Sequence, residues 1–102
     1  MRVSLQVLYP VGDNTRFDHS YYRDTHLPLV GRHMGAHIES TLVTKGIAGG
    51  PDTPPPFHAL ATMVFADRAA LEAALANAGP VLADIPNFTD SRPQMLIGEV
   101  VG

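Results

Sequence analysis

At 102 residues the chain is one domain with a modest core, and its 45% hydrophobic and 17% charged content excludes intrinsic disorder. A net charge of −3 with no basic run argues against nucleic acid or anionic lipid as a partner. The absence of cysteine excludes disulfides, thiolate metal sites and a cysteine nucleophile, and it fits a reducing compartment.

The first ten residues, MRVSLQVLYP, are too short and too polar at alternate positions for a signal peptide. No apolar run approaches membrane-spanning length, so the expectation is a soluble cytoplasmic protein without membrane attachment. Val3, Leu5, Val7 and Tyr9 alternate with Ser4 and Gln6, which is the period of a strand. Pro10 and Gly12-Asp13-Asn14 end it. Thr15 precedes Asp18 by three, the spacing of a capping box, and predicts a helix beginning near Arg16. That helix has no clean apolar stripe, and Pro28 interrupts its hydrogen-bond ladder. The expected course is helix to Asp24, a kink at His26-Leu27-Pro28, continuation to His33 and a stop at Gly35.

Ile38 to Gly46, rich in Thr and Val, reads as a second strand. The loop GIAGGPDTPPPF follows, its glycines and prolines forbidding regular structure. His58 to Phe65 is a third strand, with few polar residues, as expected if both its faces are covered. Asp67 is a good N-cap, and Leu71, Ala74, Leu75 and Ala78 keep helical spacing until Gly79-Pro80. Val81 to Pro93 reads as a short turn of helix and a loop, and Gln94 to Val101 as the last strand.

The order β-α-β-β-α-β with right-handed crossovers is an α+β, ferredoxin-like arrangement: a four-stranded antiparallel sheet with both helices on one face. The whole chain, residues 1–102, forms this single domain. In a monomer the other sheet face is bare, yet Leu8, Leu96 and Val100 put apolar residues opposite Val7, Met95 and Ile97. A homodimer pairing sheet to sheet would cover that face.

Candidate chemistry gathers on the first helix. Asp18, Tyr22 and His26 are four apart, which puts neighbours about 5–6 Å apart at Cβ on one face. Such a row supplies an orienting carboxylate, a phenolic donor and a group that titrates near neutral pH. The competing reading is structural: Asp18 serves the helix start, Tyr22 packs, and His26 bonds carbonyls that Pro28 leaves unpaired. His33 and His37 have metal-ligand spacing only if one helix carries both, Gly35 falls between them, and no carboxylate cluster completes a site, so no metal is expected. His58 alternates with Leu60, Thr62 and Val64 and either lines a pocket or sits as a satisfied strand residue. Tyr9, Phe17, Tyr21, Phe57, Phe65 and Phe88 supply aromatic surface for core or ligand. Glu99 is a candidate acid if it points inward and an ordinary edge charge if it does not. No phosphate loop, Ser-His-Asp signature or nucleotide motif is present.

Several segments together resemble the EthD-like family of dimeric α+β barrels. They are Tyr9-Pro10; Phe17-Asp18 with Tyr21-Tyr22 and His26-Leu27-Pro28-Leu29-Val30; Pro55-Pro56-Phe57-His58-Ala59 leading to Phe65; and Asp84-Ile85-Pro86-Asn87-Phe88-Thr89-Asp90 running on to Glu99-Val100. The resemblance covers essentially the whole chain. It implies a ferredoxin-like protomer in a sheet-to-sheet dimer, with a pocket between sheet and helices. It brings forward Tyr22 and His26 as site residues, with His58 and Phe88 as secondary wall candidates; Tyr9 and Asp18 join these two as the candidate substrate-binding residues. Related branches include cofactor-independent monooxygenases, cyclases, isomerases, lyases and haem-degrading enzymes. The functional expectation is a small enzyme without a cofactor, acting on an apolar or aromatic small molecule through His26 and Tyr22. The alternatives are a non-catalytic protein that binds a hydrophobic metabolite, and a haem-binding protein.

Overall fold

A computed structural model describes residues 1–102. Four strands, β1 (Val3–Pro10), β2 (Ser40–Lys45), β3 (Phe57–Phe65) and β4 (Gln94–Glu99), form one antiparallel sheet in the order β2-β3-β1-β4. The helices α1 (His19–Tyr21), α2 (Leu27–Met34), α3 (Arg68–Ala76) and α4 (Gly79–Asp84) lie in the two crossovers. The architecture is the ferredoxin-like α+β fold. None of its helices is long and apolar enough to cross a membrane.

Side-chain alternation decides which sheet face is buried. Val3, Leu5, Val7 and Tyr9 are buried, and their ladder partners Phe65, Met63, Ala61 and Ala59 lie beside them. With Leu71, Ala74, Ala78, Val81, Phe88 and Met34 from the helical layer they form the core. Complete burial of a side chain such as Phe65, 0% exposed, is worth about 1.5–3 kcal/mol. On the opposite face Leu8, Leu60, Leu42 and Leu96 come together through the registers Leu8↔Leu60, Leu42↔Thr62 and Gln6↔Leu96. Leu42 is 68% and Leu96 56% exposed, so this face is apolar and uncovered. The strand β3 is therefore fully covered on one face only: Leu60, Thr62 and Val64 on the other are half-buried by neighbours in the sheet, such as Gln6, which donates to the Thr62 hydroxyl at 3.2 Å.

The first helix differs most from its expected course. It starts at His19, and its cap is the Asp18 carboxylate, which accepts from the Tyr21 amide at 3.0 Å. Thr15 does not cap it. Its hydroxyl lies 2.9 Å from both the amide and the carbonyl of Gly12 and 3.0 Å from His58 Nε2. No break follows at Pro28. Tyr22–His26 form one π-helical turn, in which the Leu27 amide reaches back to the Tyr22 carbonyl. The wider turn places Pro28 at the start of the next α-helical stretch, where its missing N–H costs little. The helix then tightens into a 3₁₀ turn, Gly35–His37, instead of stopping at Gly35.

The other boundaries shift less. Strand β2 is shorter at both ends than Ile38 to Gly46, and β4 ends at Glu99. Gly46 marks a close approach: a Cβ there would collide with the Phe57 carbonyl. Asp67 caps α3 as expected, accepting from the Ala70 amide. Gly79-Pro80 does more than end a helix, since it opens α4, with the proline in the first turn.

Candidate functional site

The π-helical turn sets the geometry of the site. It carries Tyr22 and His26 on one side, and their rings stack with centroids 5.5 Å apart at an interplanar angle of 17°. Single π turns inside α-helices recur at functional sites. Tyr9 from the end of β1 meets Tyr22 edge-on at 5.7 Å. Phe88 packs against Tyr9, Tyr22 and His26, with centroids 5.7, 5.1 and 4.5 Å away.

His26 is 3% exposed, which would be costly for a polar ring left unpaired. Its partner comes from the far end of the chain. Nδ1 lies 2.9 Å from Oδ2 of Asp84, the last residue of α4. Asp84 is itself held in place. Tyr21 donates its hydroxyl to Oδ1 at 2.6 Å, and the Asn87 amide donates to the same oxygen at 3.0 Å. The backbone brings the two segments together: the Asp18 amide donates to the Phe88 carbonyl at 2.8 Å, and Thr89 donates its hydroxyl to the Arg16 carbonyl at 2.7 Å.

The electrostatics favour a neutral imidazole beside a charged carboxylate. Burial pushes the His26 pKa below the ordinary histidine value, against the opposing pull of Asp84. For Asp84 burial acts upward, but hydrogen bonds from Tyr21, Asn87 and His26 together hold the carboxyl below its usual range. With the carboxylate accepting, Nδ1 carries the ring proton and Nε2 presents a lone pair. Nε2 has no hydrogen bond within the protein, while no fully enclosed side-chain nitrogen or oxygen lacks a partner. Open space therefore adjoins Nε2.

His26 also lines an apolar cavity of about 110 Å³ between the sheet and the helices. Leu5, Val7, Ala61 and Met63 lie on its sheet side, and Tyr22, His26 and Val30 on its helix side. Sixteen of its eighteen lining residues are hydrophobic, so His26 is the one titratable nitrogen on its wall. An apolar cavity of about 150 Å³ holds a benzene ring, so this smaller cavity takes an apolar group of at most about that size, extended only through its open rim. Exposed Thr41, Leu75, Leu82 and Met95 on the rim leave the cavity open to solvent. Burial pushes the Tyr22 hydroxyl up to about 12 and raises that of Tyr9 as well, so both phenols stay protonated at neutral pH.

Of the residues singled out by sequence, Tyr9, Tyr22 and His26 border this cavity together. Phe88, 0% exposed, backs their rings without lining it. Asp18 stands at the helix start and takes no part, because its carboxylate is engaged by the Tyr21 amide. His58 is outside the cavity, stacked on Phe17 at 5.4 Å with Nε2 turned to Thr15. His26 bonds a carboxylate and not the carbonyls near Pro28. Glu99 is exposed. His33 and His37 sit on different helical segments, and no group of three or more His, Asp or Glu is placed to hold a metal ion.

Residues 14–92 match the model of the EthD domain. The chain belongs to the EthD family. An EthD-like protein from Ralstonia eutropha is similar at 36% identity, with a TM-score of 0.89, over 99% of this chain and 93% of its own. An EthD family protein from Bacillus halodurans matches at 24% identity and TM-score 0.76, over 99% of this chain and all of its own. SnoaB, a cofactor-independent oxygenase from Streptomyces nogalater, shares the fold at 10% identity and TM-score 0.68, over 99% of this chain and 94% of its own. No curated protein matches the sequence. In this EthD chain the residue that sequence reasoning missed is Asp84. It stands in the Asp84–Asp90 segment that carries part of the family resemblance, and it lies fifty-eight residues from His26.

Proposed function

We propose that this EthD protein is a small enzyme working without an organic cofactor on an apolar or aromatic molecule, by proton transfer at His26. One observation carries the reading: His26 lines an apolar cavity with Nδ1 held by Asp84 at 2.9 Å and Nε2 unbonded within the protein. In such a site Nε2 takes a proton from an acidic C–H or phenolic O–H, and the Asp84 carboxylate stabilises the imidazolium that forms. The electron pair left behind moves onto a substrate oxygen, and the protonated Tyr22 hydroxyl donates to that oxygen. Returning the proton to another atom completes an isomerisation or cyclisation. Oxygenation would begin at the same anion and take dioxygen as its co-reactant. The cofactor-independent activity of SnoaB on the same fold supports this class of chemistry.

Deuterium incorporation from heavy water into small aryl ketones, followed by proton NMR, tests the reading. The protein should accelerate exchange, and His26→Gln should remove the acceleration without loss of folding. Equal rates for both proteins would contradict it. A second reading, a carrier of an apolar metabolite, is favoured by the almost wholly hydrophobic cavity wall. Tight binding without any exchange or turnover would support it.

The uncovered face bearing Leu8, Leu42, Leu60 and Leu96 is read as the contact of a homodimer, sheet against sheet. Light scattering should give twice the chain mass, and Leu42→Lys should halve it.

A further inference from the structure

A second hollow, of about 250 Å³, lies against the same helix and is different in character. It shares Tyr22, Leu27 and Val43 with the apolar cavity, so those side chains border both. Beyond them its walls carry His19, Arg23 and Lys45, and no acidic residue. These basic groups come from separate elements: α1, the π turn and β2.

The three basic groups are not equally free. Arg23 is tied to Asp24 at 2.8 and 3.1 Å on the solvent side. Asp18, next to His19, is occupied with the Tyr21 amide. Lys45 has no ion pair at all, since the three ion pairs of the chain involve Arg2, Arg23 and His26. The local field bears this out: burial first, then Lys45 and His58, lower the His19 pKa, and Asp18 only partly offsets them. The hollow therefore holds surplus positive potential in a protein of net charge −3.

The strand sets the spacing between the hollows. Val43 and Lys45 pair with Ala61 and Ala59 of β3 and so point to the same, helix-side face. They stand two residues apart along β2, about 7 Å. A ligand reaching past Val43 thus meets Lys45 after roughly the length of a short carbon chain. We propose that this hollow seats the carboxylate of an amphipathic acid whose apolar body fills the cavity, with Lys45 as the main counter-charge. The substrate class becomes an aryl or alkyl carboxylic acid with one ring-sized apolar group and a short linker. This rests on reading the cavity as the substrate site, and it adds which end of the molecule is charged.

Binding of 3-phenylpropanoate and of its neutral counterpart 3-phenylpropanol, measured by calorimetry or NMR titration, separates the two ideas. Lys45 is exposed on an edge strand, so Lys45→Gln should fold normally. The acid should bind about tenfold more tightly than the alcohol, and Lys45→Gln should remove that advantage while leaving the alcohol unchanged. Added salt should weaken only the acid, and the His19 resonance should titrate at higher pH when the acid is bound. Equal affinities of acid and alcohol, or equal losses of both in Lys45→Gln, would overturn the carboxylate site and leave the cavity reading intact. Inorganic phosphate matching the acid's affinity would overturn it too, since the apolar body would then contribute nothing. Failure of both organic probes to bind would overturn the cavity reading along with it.

Discussion

His26 and His58 invite comparison, because each ring is stacked on an aromatic neighbour and hydrogen-bonded to a side chain. They differ in the partner and in what surrounds the ring. His58 is half-buried, bonds a neutral hydroxyl and lies outside the apolar cavity. His26 is buried, bonds a carboxylate that two other groups also bond, and lines an apolar cavity with its second nitrogen unbonded within the protein. A carboxylate partner both fixes the tautomer and stabilises the protonated ring, while a hydroxyl does only the first. The difference teaches that a histidine's capacity for chemistry is set by its second nitrogen and by its partner's charge. The residue type and the strand or helix it sits on say much less.

The comparison breaks most visibly in activity. In the deuterium-exchange assay His26→Gln should lose on the order of 10²–10⁴-fold, the usual contribution of a positioned acid–base group. His58→Gln should stay within a factor of about two. Similar losses in both would erase the distinction. Asp84→Asn keeps the shape but removes the charge, and should cost about 10²-fold in the same assay with folding retained.

Stability gives the next contrast. Asp84→Ala leaves the buried imidazole without its charged acceptor and should cost about 1.5–3 kcal/mol, seen as a lower urea midpoint at unchanged slope. Thr15→Val, which removes the partner of His58 at a more exposed site, should stay within about 0.5 kcal/mol.

Acidification sharpens the comparison further. The His26 pKa is lowered on folding, so below the ordinary histidine value of about 6.5 the unfolded chain takes up a proton that the folded chain refuses. Stability should fall as pH drops from about 6.5 toward the folded value. Asp84, also lowered, contributes stability that is present above the ordinary carboxylate range and lost as pH falls through its folded pKa. Urea midpoints at pH 7.5 and 5.5 should therefore differ for the wild type and differ less for His26→Gln. No change with pH in the wild type would contradict the assignment.

Much of this was readable from sequence where local period and chemistry agree. The alternation from Val3 to Tyr9 identified β1 and the residues it buries, and Asp67 announced α3. Tyr9, Tyr22 and His26 were found because they cluster in the one segment where a capped helix meets Pro28. Thr15 misled because its hydroxyl is consumed by Gly12 and His58, contacts that a spacing rule cannot foresee. The π turn has no pattern of its own, so Pro28 suggested a kink where the ladder instead widens. Spacing offered Asp18 as a carboxylate partner for His26 or as the helix cap; it is the cap, and Asp84 makes the contact with His26. Both are carboxylates, but only the folded chain brings α4 against the first helix.

Nitrogen-15 NMR of the His26 ring at neutral pH tests the central claim most directly. The ring should be the Nδ1–H tautomer, with an unprotonated Nε2 whose resonance shifts when an apolar ligand such as 3-phenylpropanol enters the cavity. A ring protonated on Nε2, or an Nε2 resonance indifferent to every ligand that binds, would contradict it.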